Sequence, residues 1–590
     1  MSRLLSKLAT IWRLASPYFF SEDRFAGRLL LGSVIAIELS IVTINVLLNQ
    51  WNARFYNALQ ERDWDIFVSE LLFFCVLATI YILLAVYQLY LNQWLQIRWR
   101  RWMTRRYLDR WLAGGNHYRM QLLGDAADNP DQRIAEDIKY FIDGGTGIGI
   151  MPIGLGLLNS VVTLGSFVVI LWQLSAAAPL HLFGAEWTIP GYLVWAALLY
   201  AMLGTVLTHL IGWPLISLNF RQQQFEADFR FNLVRVREGS EQVTLLGGET
   251  AERERLLDRF GRVVTNWIAI MKRTKRLTFF TAGYAQVSTV FPFIVVSPAY
   301  FSGAIQLGGL TQTASAFGSV QNALSFFISV YRSLAEWQAV IARLDGFNAA
   351  AAAAQAAAST APSIAVTARA APAGEDKIVI DDLLVRLPQG KPLVAADGLT
   401  IAAGEHVLVT GASGAGKSTL FRALAGAWPF GAGRITVPAG AKVMTLPQRP
   451  YFPIGTLAAA VTYPGEPGTF TTDALAEAIS AVGLPGLADR LAEEGHWNRM
   501  LSLGEQQRLG IARALLQAPD YLLLDEATAS LDEPAEAALY RLLEERLRTT
   551  TIVSIGHRAT LAAFHRRRLA LVRDGDVHRV REAAVEPAVG

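Results

Sequence analysis

The chain reads as an α-helical membrane domain of six transmembrane helices followed by an α/β domain built around a phosphate-binding loop. Three observations predict that order. Of 590 residues, 52% are hydrophobic and 17% charged, with a mean hydropathy of +0.30, too apolar for a water-soluble chain of this length. The apolar residues gather in six long stretches before residue 340, each able to cross a hydrocarbon core of about 30 Å. Beyond them, Gly411-Ala412-Ser413-Gly414-Ala415-Gly416-Lys417-Ser418-Thr419 fits the P-loop pattern G-x-x-x-x-G-K-[ST] at every fixed position.

Residues 1–25 mix Arg, Lys, Trp and Pro without a clean apolar core or cleavage site. They predict a short helix in the membrane interface, not a cleaved signal. The six stretches lie at about 26–50, 66–94, 149–174, 189–213, 278–302 and 314–336, the last rich in Ser, Gln and Phe. Six spans put both termini on one side. Arg98 to Arg110 is dense in arginine, as is the segment holding Arg221, Arg230, Arg235, Arg237, Arg253 and Arg255. By contrast, the loops 175–188 and 303–313 contain no Lys or Arg. The basic loops and both termini are therefore expected in the cytoplasm. Topology accounts for the arginines, so no nucleic-acid partner is expected. Both basic loops are helical in pattern and should extend the membrane helices to tips that contact something. The single cysteine, Cys75 in Phe73-Phe-Cys-Val-Leu77, excludes an internal disulfide or a cysteine metal site.

Residues 347–375 are Ala-rich with Pro362 and Pro372 and show no amphipathic pattern. They read as a tether between a membrane domain, 1–346, and a soluble domain, 376–590. The strands expected in the soluble domain are short Val/Ile/Leu runs, as a sheet covered on both faces requires.

His406-Val-Leu-Val-Thr410 reads as a strand and Leu420 to Ala425 as a helix, on either side of the Gly-rich loop. Backbone N–H groups at that helix start can cradle an anion, and Gly411, Gly414 and Gly416 let the chain close around it. Lys417 should reach the β- and γ-phosphates of ATP, and Ser418 should hold Mg²⁺. Tyr521-Leu-Leu-Leu-Asp525-Glu526 is a buried strand ending in two carboxylates. Asp525 is placed for the Mg²⁺ sphere and Glu526 for polarising the attacking water. Leu501-Ser502-Leu503-Gly504-Glu505-Gln506 offers a second cradle at a helix start. Gln448 and His557 each follow a short apolar run and could sense the γ-phosphate. Asp532, in Ser530-Leu-Asp532, follows the acidic pair. A lone polar residue at a strand end is usually structural; here the order and spacing carry the signal.

In that order, these motifs resemble the nucleotide-binding domain of ABC transporters over residues 376–580. The resemblance identifies Gly411–Thr419 as Walker A, Gln448 as the Q-loop residue in the metal sphere, and Asp525 with Glu526 as Walker B and catalytic base. Ser530–Asp532 is then the D-loop and His557 the switch histidine. It also implies that Ser502 and Gly504 act on nucleotide bound by a second copy, so a homodimer is expected. Two departures stand out: in the usual Leu-Ser-Gly-Gly-Gln, Leu503 replaces the first glycine and Glu505 the glutamine, and no aromatic occupies Arg386-Leu387-Pro388, where the family stacks adenine.

In the membrane half, Trp51–Gln60, Asn129–Asp137, Glu226–Phe231 and Val234–Glu238 resemble one branch of the family. That branch joins SbmA/BacA-like peptide transporters and their fused ATP-binding relatives with peroxisomal fatty-acyl half-transporters. Leu446 to Thr456 and Trp497 fit it as well. The resemblance implies the ABC exporter fold, a bacterial inner membrane and, in several members, import.

The spans also carry polar stripes. Glu38, Asn45 and Asn49 share a helical face, as do Gln88, Asn92 and Gln96. So do Asn159, Thr163 and Ser166, then Thr205 and His209, then Gln312, Ser315, Ser319 and Asn322. Polar groups facing lipid are costly, so the stripes should serve helix–helix hydrogen bonds or line a hydrated cavity at the dimer centre. Glu38 could attract a cationic peptide, take up a proton, or pair with an Arg or His. The expected function is ATP-driven import of antimicrobial peptides or other large hydrophilic solutes, such as vitamin B12-like or bleomycin-like molecules. The alternatives are an exporter of lipids, drugs or fatty-acyl compounds, and a proton-coupled peptide carrier with a regulatory ATPase. The presence of Glu526 and His557 argues against the last.

Overall fold

Apolar runs of twenty residues and more with few breakers fold as helices, because only a helix satisfies every backbone group away from water. The computed structural model describes residues 2–124, 129–143, 149–177, 180–182, 185–187, 189–359, 363–369 and 376–584. It divides into two compact units, Met1–Asp109 with Asn129–Phe347, and Arg110–Asp128 with Asn348–Gly590.

In the first unit, α1 (Ser2–Ala15) is the predicted amphipathic start. Its Lys7 donates to Gln338 at 2.7 Å and its Arg13 pairs with Asp345. The turn after it buries Tyr18, which stacks on Trp99 at 5.5 Å and donates to Asp23 at 3.1 Å. The long helices α2 (Arg24–Glu61) and α3 (Trp64–Leu112) follow. The second unit takes up the loop after α3, where α4 (Asn116–Leu123) lies. Back in the first unit come α5 (Ile150–Ala177) and α6 (Tyr192–Glu238), the short α7 (Ser240–Leu245), and α8 (Glu249–Phe301). The five long helices through α8 are each apolar enough to cross a membrane. The sixth long helix, α9 (Leu307–Ser359), covers the last expected span; the side chains of 327–336 lie outside the described residues.

Helices α6 and α8, of 47 and 53 residues, are about 70 and 80 Å long at 1.5 Å per residue, far beyond a membrane's thickness. They pair tightly. Tyr200 and Tyr284 stack at 4.5 Å, and each hydroxyl donates to the other's backbone carbonyl, at 2.6 and 3.1 Å. Gly204 makes the approach possible, since a Cβ there would meet the Tyr284 ring at 2.4 Å. Lower down, Asn266 donates to Leu218 O and Gln222 Oε1, both at 2.9 Å. The segment ending in Asp137 is tied to α9. Asp137 is fully buried and accepts from Arg133 at 2.6 Å and Arg343 Nε at 2.8 Å.

Of the expected tether, 347–375, residues 360–362 and 370–375 lie outside the described residues. Residues 348–359 continue α9, with Ala350, Ala351 and Ala354 buried. Alanine is the best helix former, and a face made of alanine shows no polarity contrast to read. Residues Ala365–Arg369 form a strand, β1, of the main sheet. Pro362 and Pro372 lie outside the described residues.

The second unit is built on that sheet, of eleven strands. β2 (Lys377–Arg386), β3 (Pro392–Ala396), β4 (Leu399–Ala402) and β5 (His406–Gly411) lead to α10 (Lys417–Leu424). β6 (Gly431–Pro438) and β7 (Val443–Leu446) come next. A small helical region precedes α11 (Leu503–Gln517), β8 (Tyr521–Asp525), α12 (Glu533–Arg546) and β9 (Thr551–Ile555). β10 (Arg567–Asp574) and β11 (Val577–Ala583) close the sheet. The order is β1-β6-β2-β3-β11-β10-β5-β9-β8-β7, with β4 on β2. From β10 to β7 the strands are parallel. Their alternate residues feed two cores. Val407, Val409, Leu523 and Val553 face α10's Leu420 and Phe421. Leu408, Leu522, Leu524 and Ile552 face Ile511 of α11 and Leu539 of α12. α4 belongs here too: its Tyr118 and Leu122 pack on the first core, and Arg119 donates to Ala354 O at 3.1 Å.

Candidate functional site

Parallel register sets the soluble site. Asp525 pairs with Ile555, Ile555 with Val409, and Leu524 with Leu446. All four strands therefore end at one edge, where α/β sheets bind ligands. Gly411, Gln448, Glu526 and His557 lie at or within two residues of those ends.

The loop from Gly411 into α10 needs its glycines. Gly414 and Gly416 have φ of 77° and 96°. A Cβ on Gly416 would also strike Val394 at 2.5 Å. Ala412, Ser413 and Gly414 are exposed while Ala415 is buried beneath them. Lys417 crosses the loop and donates to Gly411 O at 2.9 Å and Ala412 O at 3.1 Å. Burial lowers its ammonium pKa, against the pull of Glu526 and Asp525. Ser418 donates to Asp525 Oδ1 at 2.8 Å; Thr419 follows it, half-buried. Burial raises the Asp525 carboxyl above its ordinary range, partly offset by the Ser418 bond. Glu526 sits in the left-handed region at φ 51°, a conformation a non-glycine residue holds only where its surroundings enforce it. Its N–H donates to Ile555 O at 3.2 Å, and its carboxylate lies 3.4 Å from His557 Nε2. Lysine, hydroxyl, two carboxylates and an exposed imidazole thus converge on one phosphate-sized cradle. Such a set can bind a polyphosphate with a hard cation and activate water.

Ser502, Gly504 and Asp532 form a second group. Ser502 heads α11 in a capping box, accepting from Glu505 N at 3.3 Å and donating to its carboxylate at 2.7 Å. Glu505, one of the two departures from the family pattern, thus supplies the box. Gly504 abuts Leu531, which a Cβ would meet at 3.2 Å. Asp532 caps α12, accepting from Ala535 N at 2.9 Å. Beside Arg386 stands Trp428, which donates to Arg386 O at 2.8 Å but is buried in the core; Leu387 packs on that core and Leu393 lies against Gly416.

Sequence reasoning missed the residues that hold these groups together. Gln507, fully buried in α11, donates to Gln448 O at 2.9 Å and accepts from Ser530 N at 3.0 Å. Gln506 donates to Asn498 O and Leu501 O, at 3.0 and 2.8 Å. Arg558, beside His557, donates to Leu531 O at 2.7 Å and Ala529 O at 3.2 Å. The available signal was a pair of glutamines on a helix otherwise destined for the core.

The membrane unit holds a cavity of about 760 Å³. Asn45 and Asn49 of α2, Asn159 and Thr163 of α5, and Ser319 and Asn322 of α9 line it. Trp51 and Phe74 flank them. Three of the five polar stripes therefore meet. The other two do not reach it. Asn92 and Gln96 bond each other at 3.3 Å, and His209 is exposed, edge-on to Trp213 at 5.3 Å. Glu38 is 7% exposed and stands behind the wall. It accepts from Asn159 Nδ2 at 2.6 Å and from Gln88 Nε2, so its partners are amides rather than an Arg or His.

Residues 14–301 match the family described as ABC transporter transmembrane region 2, and residues 395–529 the family described as ABC transporter. The inner membrane ABC transporter ATP-binding protein YddA of Escherichia coli K12 is 34% identical over 551 residues, 92% of this chain and 94% of that one. The chain belongs to the ABC transporters. It is a half-transporter, with one membrane half and one ATP-binding half that couples ATP hydrolysis to transport. It is related to the D family. The chloroplastic ABC transporter D family member 2 of Arabidopsis thaliana is 33% identical, covering 96% of this chain and 87% of that one. The human lysosomal cobalamin transporter ABCD4 is 24% identical, covering 95% and 94%. The structure of a bacterial Atm1-family ABC exporter with ATP bound shares the exporter fold, with a TM-score of 0.69 at 18% identity, over 93% of this chain and 94% of that one.

Proposed function

We infer that this ABC half-transporter works as a homodimer in a bacterial inner membrane and imports large hydrophilic solutes, antimicrobial peptides among them. The observation that carries the reading is the amide- and hydroxyl-lined cavity of about 760 Å³ in the membrane unit. A fatty-acyl path would favour apolar walls. The name of the D-family relative ABCD4, a cobalamin transporter, points to the same class of cargo. The inward direction, the inner membrane and cytoplasmic termini rest on the SbmA/BacA-like resemblance and the arginine-rich loops.

In the ATPase half, Gly411 to Thr419 cradle the phosphates of ATP and Lys417 binds the β- and γ-phosphates. Ser418 and Asp525 suit Mg²⁺, since both offer hard oxygens, held 2.8 Å apart; Gln448, two residues past the neighbouring strand end, would supply a further oxygen. When bound, Mg²⁺ neutralises charge on the β- and γ-phosphates. Glu526 takes the proton of the attacking water, and His557, 3.4 Å away, orients that carboxylate and senses the γ-phosphate. Ser502, Gly504 and Asp532 serve the nucleotide of the partner copy. Leu245 and Leu246, 78% and 85% exposed at the α7 tip, support a second copy as their cover.

The test is uptake of labelled hydrophilic solutes, a peptide set and cobalamin, by cells making wild type or Glu526→Gln. Uptake that needs the wild-type chain and vanishes in the variant is expected. Equal uptake by both would show transport without hydrolysis, and lowered accumulation in wild type would show export; either sinks the reading.

A further inference from the structure

Two polar atoms in the wall of the membrane cavity, Asn52 Oδ1 and Ser325 Oγ, are buried and have no hydrogen-bond partner among the described residues. Leaving such atoms unpaired is costly, so a buried orphan marks where something else bonds. Asn45 and Asn322, in the same wall, make no side-chain hydrogen bond among the described residues either. Asn159 differs. Its Nδ2 donates to Glu38 Oε1 at 2.6 Å, while its Oδ1 accepts from Thr163 at 3.3 Å. The Glu38 oxygen accepts in that bond, so Glu38 fixes which end of the Asn159 amide faces away from the wall. The other oxygen of Glu38 accepts from Gln88. The carboxylate is thus engaged on α3 and α5 and is not presented as a charge. No Lys, Arg, His, Asp or Glu lines the cavity among the described residues.

We propose that this cavity is a binding site for uncharged, amide-bearing solutes. Asn45, Asn52 and Asn322 read the solute, and Glu38 is a positioning residue that turns the Asn159 carbonyl oxygen toward it. The inference rests on the hydrophilic-solute reading and narrows it. A carboxamide donates and accepts at once, so two amides pair reciprocally without a counter-charge. A charged solute would lose its water at a wall that offers no opposite charge. Trp51 and Phe74, with ring centroids 4.7 Å apart, cover the apolar flank of such a solute. The amides could come from peptide bonds or from the primary amides around a corrin ring.

The experiment uses the full-length protein in proteoliposomes and reads ATPase stimulation against solute concentration. The probes are three capped peptides of equal length, one of Gly, Ser and Asn, one with Lys substituted, one with Glu substituted, and cobalamin as the primary-amide source. The neutral peptide or cobalamin is expected to half-saturate at a concentration about tenfold below the charged peptides. Whichever neutral probe acts identifies the source of the amides. Asn45→Ala with Asn322→Ala should raise that concentration about tenfold with the unfolding midpoint kept, since neither side chain forms a hydrogen bond among the described residues. Glu38→Gln lets the Asn159 amide turn over, so it should raise half-saturation while sparing the maximal stimulated rate. A fall in both rate and unfolding midpoint would make Glu38 merely structural and remove its positioning role. Charged peptides acting at equal or lower concentration would overturn the inference yet leave the hydrophilic reading standing. Silence from every hydrophilic probe would end both.

Discussion

Gln507 shows how much of the ATPase site depends on a side chain that touches no ligand. It joins the Gln448 carbonyl to the Ser530 N–H from inside α11. Gln507→Leu fills the space but leaves both groups unpaired, at about 1–3 kcal/mol each. ATP should still bind, because Lys417 and Ser418 are untouched, while turnover falls at least about tenfold. Nucleotide affinity and turnover measured together check this; equal losses in both would contradict it. His565 carries a second prediction. It accepts from Ser554 Oγ at 2.8 Å and donates to Leu561 O at 2.7 Å, and burial pushes its imidazole down to about 4. The folded site rejects a proton that the unfolded chain accepts below about 6.5. Stability is therefore complete above pH 6.5 and lost as the pH falls toward 4, by about 3 kcal/mol in all. Hydrogen exchange of β9 should quicken over that window, and His565→Gln should flatten the dependence. The residues proposed to face the nucleotide were legible because phosphate chemistry dictates their type and spacing. Gln507 and His565 were not, because a polar residue that serves other residues has no spacing of its own.

At the scale of elements, periodicity and length gave the long helices, and short β-branched runs gave the parallel strands β5, β8 and β9. The group β1, β6, β2 and β3, antiparallel except for β1 on β6, escaped, since its pairing joins residues as distant as Ala365 and Arg434 and leaves no local signature. The alanine run escaped for the opposite reason: its helix is local, but alanine conceals which face is buried. Close contact between α6 and α8 was likewise invisible, although Gly204 marks it. Gly204→Val would drive a branched side chain into Tyr284 and should cost about 1–3 kcal/mol. Thermal unfolding of the purified protein checks it; an unchanged midpoint would mean the helices part without loss.

At the scale of the whole molecule, one chain carries one phosphate loop and one Ser502–Gly504 turn. The proposal that they meet across two copies makes the α7 tip a contact surface. Leu245→Asp with Leu246→Asp should lower ATPase turnover at least about tenfold without moving the unfolding midpoint, because both side chains are already exposed. Undiminished turnover would remove the tip from the coupling. The sequence predicts that the tips of both basic loops touch something. For the first loop the partner is its own chain's sheet, through Tyr118 and Leu122; that choice depends on tertiary packing no stretch of sequence encodes alone.

The clasp of Tyr200 and Tyr284 has a mechanical consequence. Two bonds exchanged between the same two residues resist sliding and twisting, so α6 and α8 swing as one lever. From the clasp to Ser240 the arm is about 60 Å at 1.5 Å per residue. A tilt of about 5° at the clasp then sweeps the tip through about 5 Å, close to one helical turn. Small rearrangements beside the cavity are magnified at the far end, and cutting either tyrosine to phenylalanine would loosen the gearing while sparing both ends.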